Sequence, residues 1–178
     1  MNLFLKSLGL IVGLFLFSSQ VFGQVQQKDE VEISTYIGDV RSIKINQSQF
    51  NVNLSIDNLA QLMNGQSLTQ PNHIQVTSTS EYQIEVVASS ELQGKTTTIP
   101  VNTVSIIPSL GKSSTYGNTI YLSPVSLSTN EQSIIQSFSG DVLRTFDVSY
   151  HISSWAKYVN DNPSDTYRTT ITYSIVAN

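Results

Sequence analysis

The sequence predicts an all-β protein consisting of a single antiparallel β-sandwich of the immunoglobulin-like kind. Apolar residues alternate with polar ones along most of the chain, which is the period of a strand with one face in a core and one in water. Turn-forming pairs such as Asn64-Gly65 and Asn162-Pro163 separate the alternating runs. Many short strands without intervening long helices favour a sandwich, with a barrel as the alternative.

Residues 1–23 have the composition of a secretory signal peptide. Lys6 supplies the positive charge, and residues 8–17 form an apolar stretch that is shorter than the roughly 20 residues needed to span a bilayer. Small or short side chains up to Gly23 allow cleavage before Gln24. We therefore expect export to the periplasm, the cell surface or the extracellular space.

Composition limits what the exported part can be. After residues 1–23, a polar and flexible stretch is predicted at 24–30 and one β-sandwich domain at 31–178. The chain has no cysteine, so the core must hold the fold without a disulfide. A second long apolar run is missing from the sequence, which predicts no transmembrane segment. The net charge of −4, without a basic cluster, argues against nucleic acid as a partner.

Strands are predicted wherever apolar and polar side chains alternate or a short β-branched run lies between turn residues. They cover residues 31–37, 50–56, 74–77, 82–86, 96–101, 104–107, 119–122, 132–138, 146–152 and 167–175. Helix is limited to two candidates. Residues 57–64 have helical spacing, with Asp57 as a possible N-cap and Gly65 just past the end, and residues 155–159 follow a cap-like serine pair.

Five segments carry a resemblance to known proteins: IQVTS (74–78), YQIEVVA (82–88), IPV (99–101), FDVSYHI (146–152) and YRTTITY (167–173). Their order resembles secreted bacterial β-sandwich domains of the WxL-like and spore-coat-protein-U-like families, the latter related to chaperone–usher pilins. The resemblance implies a sandwich that acts at the cell surface or assembles with other subunits. Two features depart from these families, because Trp155 is not followed by a W-x-L signature and the chain has no cysteine for a pilin disulfide.

Catalytic and metal chemistry have little support in the sequence. His73 is expected in a surface loop and His151 on the polar face of a strand, and two distant histidines do not make a transition-metal site. The acidic loop at 160–165 lacks calcium-loop spacing. No nucleophile elbow or isolated pair of carboxylates stands out. We therefore predict a protein that is not an enzyme and has no metal or other cofactor.

Three aromatic residues are candidates for ligand binding. Trp155, Tyr158 and Tyr116 lie in or near predicted loops, where aromatic faces can stack on sugars. The alternative for Trp155 is that it closes one end of the sandwich core. These residues support the hypothesis of a glycan- or cell-wall-binding module, with polysaccharide as the partner.

An N-terminal strand is the candidate for assembly. Val31, Ile33 and Ile37 alternate with polar residues directly after the polar leader. Such a segment can complete the sheet of a neighbouring subunit, or it can be the first strand of its own sandwich. The first hypothesis is a non-catalytic exported structural or adhesive surface protein, pilus-like, with itself or other surface proteins as partners.

Overall fold

A computed structural model describes residues 32–112 and 119–178, and these fold mainly into antiparallel sheets packed together around a common core. The strands are β1 (Arg41–Ile45), β2 (Gln66–Ser78), β3 (Tyr82–Ala88), β4 (Leu92–Gln93), β5 (Thr98–Ile99), β6 (Val104–Leu110), β7 (Ile120–Leu122), β8 (Val125–Ser126), β9 (Gln132–Ser137), β10 (Asp141–Ile152) and β11 (Ile171–Val176). One α-helix, α1 (Leu59–Asn64), and short 3-10 turns complete the described elements. The all-β prediction is confirmed.

Two main sheets enclose the core. One has the strand order β1-β2-β10-β6-β8, the other has the order β11-β3-β9-β7, and β4 with β5 forms a separate small hairpin. Every strand pair is antiparallel. Residues 36–178 form one compact unit. No helix in the described part of the chain is long and apolar enough to cross a bilayer.

Period-two alternation builds the core as predicted. In β3, Tyr82, Ile84 and Val86 are fully buried, while the residues between them are half-buried. In β10, Phe146 and Val148 are fully buried in the same alternating way. Full burial contributes about 1.5–3 kcal/mol for each such aliphatic or aromatic side chain. Because the chain has no cysteine, this core carries the stability without a disulfide.

A buried polar cluster closes the turn between β9 and β10. The hydroxyl of Tyr82 donates to Asp141 Oδ2 at 2.9 Å, and the hydroxyl of Ser137 reaches the same oxygen at 3.3 Å. Arg144 Nε lies 3.8 Å from Asp141 Oδ1. Asp141 is only 2% exposed, so these partners offset the cost of removing its carboxylate from water.

Two predicted strands are absent from the sheets. Residues 32–37 and 50–56 have no regular secondary structure. In the second segment Val52, Leu54 and Ile56 are nevertheless half-buried against the core, with exposed residues between them. The alternation correctly indicated one-sided burial. It could not indicate a hydrogen-bonded neighbour, since that depends on residues far away in the sequence.

Strand β2 is longer than predicted and runs through a proline. Its ladder with β10 is interrupted between Phe146 and Val148, and Pro71 lies opposite that interruption. A proline lacks the N–H that a continuous ladder would need, so this is a position where it can be accommodated. Asn72 adopts the left-handed conformation with φ 47°, and directly after it His73 and Ile74 are both buried.

The N-cap of helix α1 lies one residue later than predicted. This N-cap is Asn58, whose Oδ1 accepts a hydrogen bond from the Gln61 N–H at 2.9 Å. The Asp57 N–H donates to Gln61 Oε1 at 2.8 Å, so Asp57 contributes its backbone and not its carboxylate. Gly65 ends the helix as predicted, with φ 79° and its N–H donating to Gln61 O.

The position of this cap gives a test of the local structure. Asn58→Ala should lower the free energy of unfolding by about 1 kcal/mol, because the first turn loses an acceptor for its N–H groups. Asp57→Ala is the matched control and should have a clearly smaller effect. Urea denaturation of both variants measures the difference. A larger loss for Asp57→Ala would place the cap at residue 57 instead.

Candidate functional site

The segment predicted to act in assembly ends at a hydrogen-bonded anchor. The Val40 N–H donates to Thr79 Oγ1 at 2.9 Å, and the Thr79 hydroxyl donates to Gly38 O at 3.0 Å. The Thr79 N–H donates to Val40 O at 3.0 Å, and Asp39 forms an ion pair with Arg41 at 2.9 Å. These contacts fasten residues 38–41 beside the end of β2.

Upstream of this anchor the apolar side chains are exposed. Ile33 is 86% exposed and Ile37 is 76% exposed, and neither lies in a strand. Val31, the third residue of the predicted assembly face, lies outside the described residues. Residues 32–37 are therefore not the first strand of the sheets described here, and the side chains of Ile33 and Ile37 are largely exposed to solvent.

Edge strands are the places where another strand can add. In the described sheets, β1 and β8 form the edges of one and β11 and β7 the edges of the other. Strands β1 and β11 also contact each other. Their apolar side chains are only half-buried, including Ile43 and Ile45 of β1 and Ile171, Tyr173 and Ile175 of β11. An edge strand presents unpaired N–H and C=O groups to an added strand.

Trp155 packs against the core at the end of β10. Its ring meets the ring of Tyr167 edge-on, with centroids 5.9 Å apart and an interplanar angle of 84°. Its backbone N–H donates to Leu62 O at 3.1 Å, and the Ser154 hydroxyl donates to the same oxygen at 3.1 Å. The loop after β10 is thus fastened to the last turn of α1, and much of the indole is engaged in packing.

The other two predicted ligand residues differ from Trp155. Tyr158 lies in the 3-10 turn Ala156–Tyr158, its N–H donates to Trp155 O at 2.8 Å, and Lys157 Nζ lies 4.7 Å from its ring centroid. Trp155 and Tyr158 are therefore held in one short turn. Tyr116 lies outside the described residues.

The burial of His73 differs clearly from what the sequence predicts. His73 was expected on the surface and is 2% exposed, so that expectation is wrong. Its Nδ1 lies 2.9 Å from Gln49 Oε1, and its Nε2 lies 2.8 Å from the Tyr150 hydroxyl. The Tyr150 hydroxyl lies 2.8 Å from that of Tyr173. This chain of hydrogen bonds joins β2 and β10 of one sheet to β11 of the other.

The orientation of the Gln49 amide determines which atoms donate in this series of hydrogen bonds. Gln49 Nε2 donates to Pro71 O at 3.0 Å, so its Oε1 is the atom that faces His73. Because that oxygen can only accept, His73 Nδ1 carries the proton. In the neutral ring Nε2 then accepts from Tyr150, and Tyr150 accepts from Tyr173. When His73 is neutral, both of its ring nitrogens and the hydroxyl of Tyr150 therefore have hydrogen-bond partners.

Burial shifts the titration of all three ring groups towards their neutral forms. It lowers the pKa of His73 and raises the pKa of Tyr150 to about 12. Burial, and then the neighbouring Tyr150, raise the pKa of Tyr173 well above its ordinary value. A sequence signal for this cluster existed, since Tyr150 alternates in register with Phe146 and Val148 in the predicted strand 146–152, and a buried tyrosine hydroxyl needs a partner.

His151 lies where it was predicted, on the outer side of β10, and its Nδ1 is 2.8 Å from Ser67 Oγ. Within residues 32–112 and 119–178, no group of three His, Asp or Glu side chains is placed to hold a metal ion.

Comparison with protein-family models finds no match for this chain, and comparison with curated proteins finds none either.

Proposed function

We propose that this protein is a non-catalytic structural or adhesive surface protein whose copies associate by strand complementation. The observation that carries the proposal is the segment at 32–37. Its apolar residues Ile33 and Ile37 alternate with polar ones, as in a sandwich strand, yet both are exposed in this chain. A neighbouring copy, or another surface protein with an open sheet edge, would bury them.

The physical gain from such an association has two parts. Backbone N–H and C=O groups of the donated strand pair with the unpaired groups of an edge strand. Burying the two isoleucines adds about 1.5–3 kcal/mol each, before the cost of ordering the segment is subtracted. Strands β1 and β11 are suitable acceptors, because they are edges whose apolar side chains are only half-buried.

The proposal also includes export of the protein and an immunoglobulin-like fold. Residues 1–23 act as a cleaved signal peptide, so that the protein begins at Gln24 in the periplasm, at the cell surface or outside the cell. The two-sheet architecture supports an immunoglobulin-like sandwich, and the resemblance to WxL-like and spore-coat-protein-U-like domains supports a pilus-like subunit. Mass spectrometry of the N-terminal peptide of the exported protein tests the cleavage site.

The assembly proposal predicts a change in oligomeric state. The exported wild-type chain should form oligomers by light scattering after gel filtration. Deleting residues 24–37, or combining Ile33→Asn with Ile37→Asn, should give monomers, because the polar side chains cannot fill an apolar acceptor site.

The matched control uses the opposite face of the same segment. Glu32→Gln combined with Ser34→Asn should leave the oligomers unchanged, since these side chains face away from Ile33 and Ile37 in an extended strand. A wild-type protein that stays monomeric at high concentration would refute strand complementation. Equal oligomer size in the isoleucine variant would refute it as well.

The glycan-binding alternative with Trp155, Tyr158 and Tyr116 stays a prediction. The edge-on contact of Trp155 with Tyr167 and its packing on the core support a stabilising role for this residue.

A further inference from the structure

The outer face of the five-stranded sheet carries a shallow, open groove. Two adjoining depressions, of about 240 and 680 Å³, share Lys44 and Gln75 in their linings. The smaller one extends to Leu143 and the larger one to Phe50. We call this feature the outer groove.

The register between strands β1, β2 and β10 places the residues of the groove floor side by side. Lys44 of β1 pairs with Gln75 of β2, and Gln75 pairs with Thr145 of β10. One pleat further along, Ser42 pairs with Thr77. Since Ile74, Val76 and Phe146 beside them are fully buried on the inner face, these polar side chains share the outer face.

An exposed apolar side chain marks each end of the outer groove. Phe50, after the first 3-10 turn, is 65% exposed, and Leu143 in the β10 bulge is 60% exposed. Leu143 has φ 53°, a conformation that costs a bulky residue free energy, and its N–H donates to Thr77 Oγ1 at 3.1 Å. Strain that keeps an apolar side chain in water is typical of a binding surface.

Between these ends the polar groups of the lining are amides, hydroxyls and one amine, and the aliphatic Ile45 also lines the larger depression. The lining includes Asn46, Gln47, Asn72, Gln75 and Thr145, and Lys44 is the single charged residue among the side chains that line the two depressions. The hydroxyl of Thr145 is buried and makes no hydrogen bond within the described part of the chain. The groove thus offers hydrogen-bonding groups without a strong field of either sign.

The length of the outer groove suits an extended polymer. From Ser42 to Ile45, strand β1 rises by about 10 Å, at about 3.3 Å per residue. A peptide strand would seek the unpaired backbone groups of an edge, and among the strands under this groove only β1 is an edge of the described sheets, whereas β2 and β10 are paired on both sides. A polyanion would need a cluster of cations, which the lining does not have.

We propose that the outer groove binds a neutral polysaccharide. An aromatic ring, an array of amides and hydroxyls and little charge match a sugar polymer, which presents apolar ring faces and many hydroxyl groups. Phe50 stacks on a sugar ring, and the amide of Gln75 bonds to sugar hydroxyls. The site is separate from Trp155 and Tyr158.

Affinity electrophoresis in native gels tests this site. The probes are dextran, mannan, xylan, hydroxyethyl cellulose and glycol chitin, each cast into the gel. At least one should slow the migration of the isoleucine variant described above, whose monomeric state removes avidity. Phe50→Ala or Gln75→Ala, made in that background, should weaken this binding by about tenfold or more.

Tyr121→Ala is the matched control, since Tyr121 is an exposed aromatic residue (58%) on the other sheet. It should leave binding unchanged. The proposal is overturned if none of the five polysaccharides slows the protein, or if Phe50→Ala and Gln75→Ala still bind as well as the parent. Loss of binding in Trp155→Ala alone would also overturn it and place the site at Trp155. Because the test uses the N-terminal variant, failure of the assembly proposal would not decide its outcome.

Discussion

Replacing Gly65 by alanine should lower the free energy of unfolding by about 3 kcal/mol or more. Gly65 has φ 79° and ψ −172°, a conformation that is essentially restricted to glycine and costs other residues about 1–3 kcal/mol. A Cβ at this position would also lie 2.0 Å from Ile152 O, a backbone atom at the end of β10. The clash adds to the conformational cost, because neither α1 nor β10 can move without losing packing.

Gly38→Ala is the matched control for this prediction. The nearest atom to its added Cβ would be Tyr36 Cε1 at 3.8 Å, an ordinary contact with a side chain. Its effect should stay within about 0.5 kcal/mol, as for most surface substitutions. Urea denaturation followed by Trp155 fluorescence compares the two variants. If Gly65→Ala were as stable as Gly38→Ala, the close approach of α1 to the end of β10 would be wrong.

The strands of the core could be predicted because the alternation of apolar and polar residues is visible within each strand's own sequence. Residues 82–86 and 146–152 bury every second side chain, and a period of two is visible within a few residues. The turn after α1 was equally local, since Gly65 supplies a conformation that other residues avoid. Such features need no knowledge of what lies elsewhere in the fold.

Other parts depended on distant residues. Residues 50–56 have the same alternation as a strand but lack a described partner strand, so only their burial pattern was predicted correctly. Pro71 and Asn72 indicated a loop, whereas β2 continues through them because the ladder to β10 is interrupted at that point. The sequence cannot show such an interruption, which is a property of the pairing between two strands.

The outer groove and the buried hydrogen-bond chain were missed for the same reason. Lys44, Gln75 and Thr145 come from three strands and meet only through register. His73 is turned inward after the left-handed Asn72, against the alternation that its own sequence neighbourhood suggests. In both cases the chemistry is created by tertiary pairing and not by a motif.

Burial of His73 should make the protein less stable in mild acid. The unfolded chain binds a proton at His73 near its ordinary pKa of 6.5, whereas burial lowers the pKa in the folded chain. The unfolded state therefore binds more protons as the pH falls below about 6.5, and the free energy of unfolding decreases until the pH passes the folded pKa. Each unit between the two pKa values costs about 1.4 kcal/mol.

The hydrogen-bond chain adds a structural reason for this direction. If Nε2 gains a proton, it can no longer accept from Tyr150, and the Tyr150 hydroxyl must turn towards Tyr173. The Tyr173 hydroxyl then loses its acceptor, which is the Tyr150 oxygen when His73 is neutral. Protonation therefore places a charge in the core and also disturbs the link between β10 and β11.

Two measurements check the prediction. Nuclear magnetic resonance titration of the wild-type protein should show His73 titrating below its ordinary pKa, which requires no variant. Urea denaturation between pH 7 and pH 5 should show a loss of stability that is clearly smaller in His73→Leu, whose side chain cannot be protonated. His151→Gln is the matched control and should keep the wild-type slope, because His151 lies on the outer side of β10 beside Ser67. Parallel curves for the wild type and His73→Leu would contradict the prediction and assign the acid sensitivity to other groups.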